Sequence, residues 1–109
     1  MNQSWLSFEG GTEADLEDFL ANAPLDRPAR ILLTGDNWGP GTCQIVAASP
    51  PGMDLRVVSL RGAPIGDSGV KILLSSPVLA SMHYLGIERC GLTDRGVEYL
   101  AHSPHMFLI

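Results

Sequence analysis

Residues 77–103 read PVLASMHYLGIERCGLTDRGVEYLAHS, and this stretch decides the fold because the chain carries it twice. Moved back by 27 positions, it falls on residues 50–76 without a gap. Pro77 meets Pro50, Asp94 meets Asp67, Gly96 meets Gly69, Val97 meets Val70, Leu100 meets Leu73 and Ser103 meets Ser76. Other apolar positions agree in kind: Met82 with Leu55, Leu85 with Val58, Ile87 with Leu60 and Leu92 with Ile65. A further step of 27 holds more faintly, since Ile31 and Leu33 meet Val58 and Leu60, Val46 meets Leu73, and Ser49-Pro50 meets Ser76-Pro77. Periods of roughly 20 to 50 residues mark solenoids and related arrays, whose units bury their apolar faces by stacking on one another.

Each unit reads as a strand followed by a short helix. Val57-Val58 centres a strand over residues 55–60, Gly62 and Pro64 turn the chain, Asp67 reads as the cap of a helix over about 68–75, and Pro77 stops it. The next unit repeats this with a strand over 82–87, Asp94 as cap, a helix over about 95–102 and Pro104 as stop. Upstream, Ile31-Leu32-Leu33 marks a strand within residues 30–34, residues 35–41 form a turn-rich loop, and residues 42–48 a short, weak helix. Residues 12–22 read as a further helix: Thr12 and Asp15 have capping-box spacing, and Leu16, Phe19, Leu20 and Ala23 fall on one face. Glu13, Asp15, Glu17 and Asp18 complement the dipole of that helix; the rival reading is an acidic docking patch. Residues 4–8, with Trp5, Leu6 and Phe8, are either a first strand or a lid on the first repeat. Trp38 takes the register position of Ile65 and Leu92, as an oversized core residue or an exposed aromatic anchor. The terminal Met106-Phe107-Leu108-Ile109 would begin another strand.

The expected fold is α/β, a right-handed solenoid of about four units with parallel strands on a concave face and short helices on a convex face. A single domain is expected over residues 1–109: a capping segment and helix over 1–23, repeats over 24–49, 50–76 and 77–103, and a further repeat or the chain end over 104–109.

The pattern Leu55-x-x-Val58-x-Leu60-x-x-Ala63-x-Ile65-x-Asp67-x-Gly69-Val70-x-x-Leu73 resembles a leucine-rich repeat, as does Met82-x-x-Leu85-x-Ile87-x-x-Cys90-x-Leu92-Thr93-Asp94-x-Gly96-Val97-x-x-Leu100. The long period and helical crossover are similar to the ribonuclease-inhibitor-like subclass, and Cys90 falls where its cysteine-containing repeats carry their cysteine. Ser-Pro before Val78-Leu79-Ala80 resembles repeats of bacterial leucine-rich proteins. The resemblance is strong over residues 50–104 and weaker over 24–49, and before that only the helix of residues 12–22 matches. Pro40 and Thr42 depart from it, standing where Asp and Gly are expected. The resemblance implies an arc whose concave face binds another protein, with no shared catalytic residues.

A net charge of −5 and seven scattered basic residues argue against nucleic acid and anionic membranes as partners. No apolar run approaches the ~18 residues of a membrane span. The N-terminal residues lack the charged and apolar regions of a signal peptide. Cys43 and Cys90 occupy different repeat positions, so a disulfide framework is not expected and cytoplasmic residence is the default. Asn2-Gln3-Ser4 is formally a glycosylation sequon.

Gly66-Asp67-Ser68-Gly69 resembles the nucleophile motif of chymotrypsin-like proteases, but the register argues against it. Asp67 and Gly69 recur as Asp94 and Gly96, whereas Ser68 becomes Arg95, so the supposed nucleophile is the freely varying slot. A triad also needs a positioned His and Asp. His102 and His105 straddle Pro104 and do not share a helical face as a zinc pair would. The glycines Gly35, Gly39 and Gly41 lack phosphate-loop spacing. No catalytic residue, cofactor or metal is therefore expected.

The informative positions are the outward halves of the strands. Side chains alternate across a strand, so with Val58 and Leu60 inward, Val57, Ser59 and Arg61 face out. Their equivalents are Tyr84, Gly86 and Glu88 in one direction and Arg30, Leu32 and Thr34 in the other. With Arg56 and His83 they interleave apolar, aromatic and Arg groups, the usual anchors of a binding surface. The expected function is protein–protein interaction through this face, without catalysis. The alternative is a structural, self-associating piece of a longer array that stacks through an uncapped C-terminal end.

Overall fold

The computed structural model describes residues 4–50 and 52–102. The expected strand over 106–109, His105, Ser103 and the sequon's Asn2 lie outside the described residues. In chain order the elements are β1 (Leu6–Glu9), α1 (Glu13–Asn22), β2 (Ala29–Leu32), α2 (Pro40–Ala47), β3 (Leu55–Ser59), α3 (Gly66–Leu74), a 3-10 helix (Pro77–Ser81), β4 (Tyr84–Gly86) and α4 (Asp94–Ala101). Residues 4–8 thus contribute a strand, not a lid.

The four strands form one sheet in the order β1-β2-β3-β4, and every pair is parallel. The pairing carries the sequence register directly: Arg30 opposes Val57 and Val57 opposes Tyr84, Ile31 opposes Val58 and Val58 opposes Leu85. Between β2 and β3 the register slips, so that Ala29 opposes Leu55 and Arg30 opposes Val57. Arg56 is therefore an extra, bulged residue. This is why the unit begins Leu55-x-x-Val58 rather than with strict alternation. Backbone bonds continue the ladder beyond the strands, from Leu60 N–H to Gly86 O (2.7 Å), Gly62 N–H to Glu88 O (2.8 Å) and Gly66 N–H to Cys90 O (2.9 Å).

Ala29, Ile31, Leu33, Leu55, Val58, Leu60, Leu85 and Ile87 share one buried core with Leu16, Leu20, Cys43, Val46, Val70 and Leu73 of the helices. Trp38 belongs to it at 2 % exposure, so the oversized-core reading holds and the exposed-anchor reading does not. Cys90 closes its turn, 1 % exposed, with the thiol donating to Leu60 O at 3.0 Å.

Helix capping corrects the sequence reading at two positions. The Thr12–Asp15 capping box is present. Asp67, however, does not cap its own helix, for α3 starts at an uncapped Ile65 and Asp67 lies in the first turn. Its carboxylate instead accepts from the N–H of Thr93 (2.9 Å) and from the Thr93 hydroxyl. Nor does Asp94 cap α4; Thr93 does, accepting from Arg95 N–H at 3.3 Å. The physical reason is the side-by-side packing of neighbouring helices, which sets the free N–H groups of α4 beside the first turn of α3. Glu13 makes a similar side-chain bond two steps earlier, between α1 and α2. The hydroxyl of Thr42 in α2 donates to Glu13 Oε2 (2.6 Å) and accepts from Gly39 N–H (3.0 Å). Thr42 thus replaces the expected glycine with a buried, fully bonded side chain, and Pro40, its φ fixed for the first helical turn, starts the helix.

The bonds from Thr93 and from the Gly96 backbone, helped by nearby Arg95, hold the Asp67 carboxyl below the ordinary carboxylate value. A group with a lowered folded pKa stabilises the fold above its unfolded value, about 3.9. That contribution is lost as pH falls through the folded value. Asp67→Asn is accordingly expected to lower the thermal midpoint at neutral pH, with the gap closing as the solution is acidified below the ordinary carboxylate range. Midpoints measured from pH 7 downwards check this, and a gap constant across the range would contradict the forward cap.

Candidate functional site

The outward side chains form rows because the sheet is parallel and in register. One row is Ser7, Arg30, Val57 and Tyr84; the next is Glu9, Leu32, Ser59 and Gly86. Arg30, Thr34, Arg61, His83 and Glu88 are exposed, while Leu32, Arg56, Val57, Ser59 and Tyr84 are half-buried. At Gly86 a Cβ would stand 3.0 Å from Tyr84 Cε2, 3.2 Å from its hydroxyl and 3.1 Å from Ser59 Oγ. The missing side chain is what lets the Tyr84 ring lie along the sheet.

Arg30, Leu32 and Val57 are brought together with Ser4 and Trp5 around a shallow depression of about 470 Å³. Trp5, 41 % exposed, was not among the residues singled out from the sequence. The signal was available: Trp5, Ser7 and Glu9 alternate with the inward Leu6 and Phe8, and they read as outward once residues 6–9 are taken as a strand. His83 stands apart from this depression, just before β4, with its N–H donated to Arg56 O at 2.7 Å.

The three cations of the face differ in their partners. Arg56 is paired with Asp54, Nη2 to Oδ2 at 2.9 Å, and its guanidinium lies 5.9 Å from the Trp5 ring centroid. Arg61 approaches Glu88 at 4.0 Å, a loose and solvated pair of little energetic weight. Arg30 makes a single side-chain bond, from Nε to Ser7 Oγ at 3.2 Å, and among the described residues no carboxylate pairs with it.

Elsewhere the polar groups have structural roles. A larger depression of about 590 Å³ is bordered by the Ser-Pro turns. Its hydroxyls are committed to backbone carbonyls, Ser49 to Val46 and Ser81 to Leu55, as is that of the adjoining Ser76, to Ala47. Burial, with a smaller effect of Cys90, pushes the Cys43 thiol up to about 12, and burial raises Cys90 as well. Neither is a thiolate primed for attack. Ser68 lies exposed on α3. Among the described residues no three His, Cys, Asp or Glu side chains are grouped to hold a metal, and no helix is long and apolar enough to cross a membrane.

Among the described residues the chain is thus α/β, with a four-stranded parallel sheet and a row-ordered outward face. No protein-family model, no curated protein and no solved structure matches it.

Proposed function

We propose that this chain is a leucine-rich-repeat solenoid of right-handed βα units that acts, without catalysis and in the cytoplasm, as a protein-interaction module. Its partner binds along the outward, concave face of the sheet. The observation that carries this reading is the set of Trp5, Leu32, Val57 and Tyr84 on one face, aromatic and aliphatic groups left at least partly accessible among arginines. Such groups anchor interfaces because they bury large area at small entropic cost. The 27-residue register of the strand pairs supports the repeat assignment.

The reading is tested by placing a photo-crosslinking residue at Leu32 and, as a control, at exposed Ser68 on α3, in cells that make the full chain. A discrete adduct is expected from position 32 and not from 68, and it should be lost with Tyr84→Ala or Trp5→Ala. Adducts from 68 but not from 32 would place the site elsewhere, and adducts from 32 that survive both substitutions would remove Trp5 and Tyr84 as its anchors.

A second reading, end-to-end stacking of copies, is favoured by one observation. Val97 is 56 % exposed, whereas its register equivalent Val70 is fully buried beneath the neighbouring unit. Light scattering separates the two, since a monodisperse monomer at high concentration argues against stacking.

A further inference from the structure

We infer that the Trp5–Arg30 depression is the anchoring subsite of the face, and that it takes a carboxylate side chain flanked by an aliphatic residue, presented by an extended acidic segment of a protein partner. This rests on the interaction reading above and adds the chemistry of what is bound.

Charge pairing makes the selection. Of the face's three arginines, Arg56 is already held by Asp54 and Arg61 approaches Glu88, which leaves Arg30 as the cation with no ion-paired carboxylate among the described residues; Glu9 is engaged by the same Ser7 hydroxyl, at 3.3 Å, rather than by the guanidinium. Its one side-chain bond, from Nε to Ser7 Oγ, fixes the guanidinium over the sheet and leaves both Nη groups as donors. A guanidinium with two unused N–H edges matches a carboxylate in geometry as well as charge. Beside it, Leu32 and Val57 are half-buried and Trp5 is exposed, so part of the depression's lining favours an aliphatic group over water. The Arg56 guanidinium, 5.9 Å from the Trp5 ring centroid, favours this ring position by a weak cation–π contact.

The occupant carries one negative charge at this point rather than two. A dianionic phosphate placed here would find a single unmatched cation, since Arg56 would have to give up Asp54 to share it. The β-strand rows also set the form of the segment. Arg30 and Leu32 both project from β2 to the same face, two residues apart. An extended chain running along them presents alternate side chains at a matching spacing. Acid at one position and aliphatic residue two positions on is therefore the pattern the subsite reads.

The test uses the full chain and three capped heptapeptides: alternating threonine and leucine with one central glutamate, the same peptide with glutamine, and the same with phosphoserine. The glutamate peptide should bind about tenfold more tightly than the glutamine peptide, the worth of one charge-assisted bond. Binding should shift the Trp5 indole N–H resonance, assigned with Trp5→Phe, and leave that of buried Trp38 in place. Arg30→Gln should remove the preference by weakening the glutamate peptide more than the glutamine peptide, so that the two bind alike; Arg30 is exposed, so the variant is expected to fold normally. Equal affinities for the two peptides, no detectable binding of the glutamate peptide, a preference that survives Arg30→Gln, or tighter binding of phosphoserine would each overturn the assignment. Crosslinking from Leu32 separates the levels of failure. Tyr84-dependent adducts without a glutamate preference leave the face as the site and remove only this subsite, whereas the absence of both removes the face as well.

Discussion

Trp38→Ala should destabilise the fold by about 3–5 kcal/mol, the range for deleting a large buried aromatic. That is a large part of the roughly 5–15 kcal/mol available to a small domain. The argument starts from register. Units 50–76 and 77–103 place Ile65 and Leu92 at this position, and the preceding unit places an indole there. The additional volume has somewhere to go because the first strand pair is spaced differently. Phe8 opposes Ile31 at a step of 23, four residues shorter than between the later strands, and the shorter unit contributes two phenylalanines. Phe8 meets Trp38 edge-on at 6.4 Å between centroids and Phe19 at 5.4 Å. Tilted and edge-on aromatic pairs add about 0.5–1.5 kcal/mol beyond the area they bury. Trp38→Leu, which restores the repeat's own residue type, should therefore also destabilise, though less than alanine, because an aliphatic chain of that size leaves a void against Phe8. Denaturant midpoints for both variants measure this. A Trp38→Leu variant as stable as the parent would mean that the indole is tolerated at the site rather than required to fill it.

The same register explains what could be read in the sequence and what could not. Period and strand pairing were legible because burial enforces them. Ile31, Val58 and Leu85 must point inward on successive parallel strands, and a slip would turn them to solvent. The outward row followed by simple alternation, which is why Arg30, Leu32, Val57 and Tyr84 were identifiable. Four features were less legible. The destination of Asp67's carboxylate was hidden because a cap depends on which N–H groups lie nearby in space, and the adjacent helix start at Thr93 is nearer than the sequence suggests. The strand in residues 6–9 was ambiguous because it begins a shorter unit without a repeat partner to align. Trp5 was overlooked for the same reason, as its outward direction follows only after that strand is established. The subsite chemistry was also hidden. Composition counts seven basic residues, but pairing of Arg56 with Asp54 and the approach of Arg61 to Glu88 are facts of geometry, and they single out Arg30.

Gly69→Val should cost about 3 kcal/mol, the upper end of the overpacking range, although a glycine inside a helix is normally a place to gain stability. Alanine at a helix interior gains about 1 kcal/mol over glycine. Here a Cβ would lie 2.7 Å from Ile65 Cβ and 3.0 Å from Cys43 Sγ. Neither neighbour can withdraw. Ile65 is fully buried and tied at both backbone ends, its N–H to Ala63 O and its carbonyl to Gly69 N–H, and Cys43 is fully buried in the neighbouring helix. Gly69→Ala should therefore destabilise as well, with its propensity gain outweighed, and valine should be worse because it adds two methyls and loses most of that gain. The contrast with Gly96 sharpens the test. A Cβ there would meet the end of the Asp67 carboxylate and, at 3.3 Å, Leu92 Cδ2, both the far ends of side chains that can move aside. Gly96→Ala should then cost only the Asp67–Thr93 bonds and leave the helix packing intact. Adding Cys43→Ala to Gly69→Ala should recover part of the lost stability and none in the Gly96→Ala background. A double-mutant cycle with no coupling between positions 43 and 69 would show that α2 and α3 do not press together at this point, and that the repeated glycine serves something other than close approach.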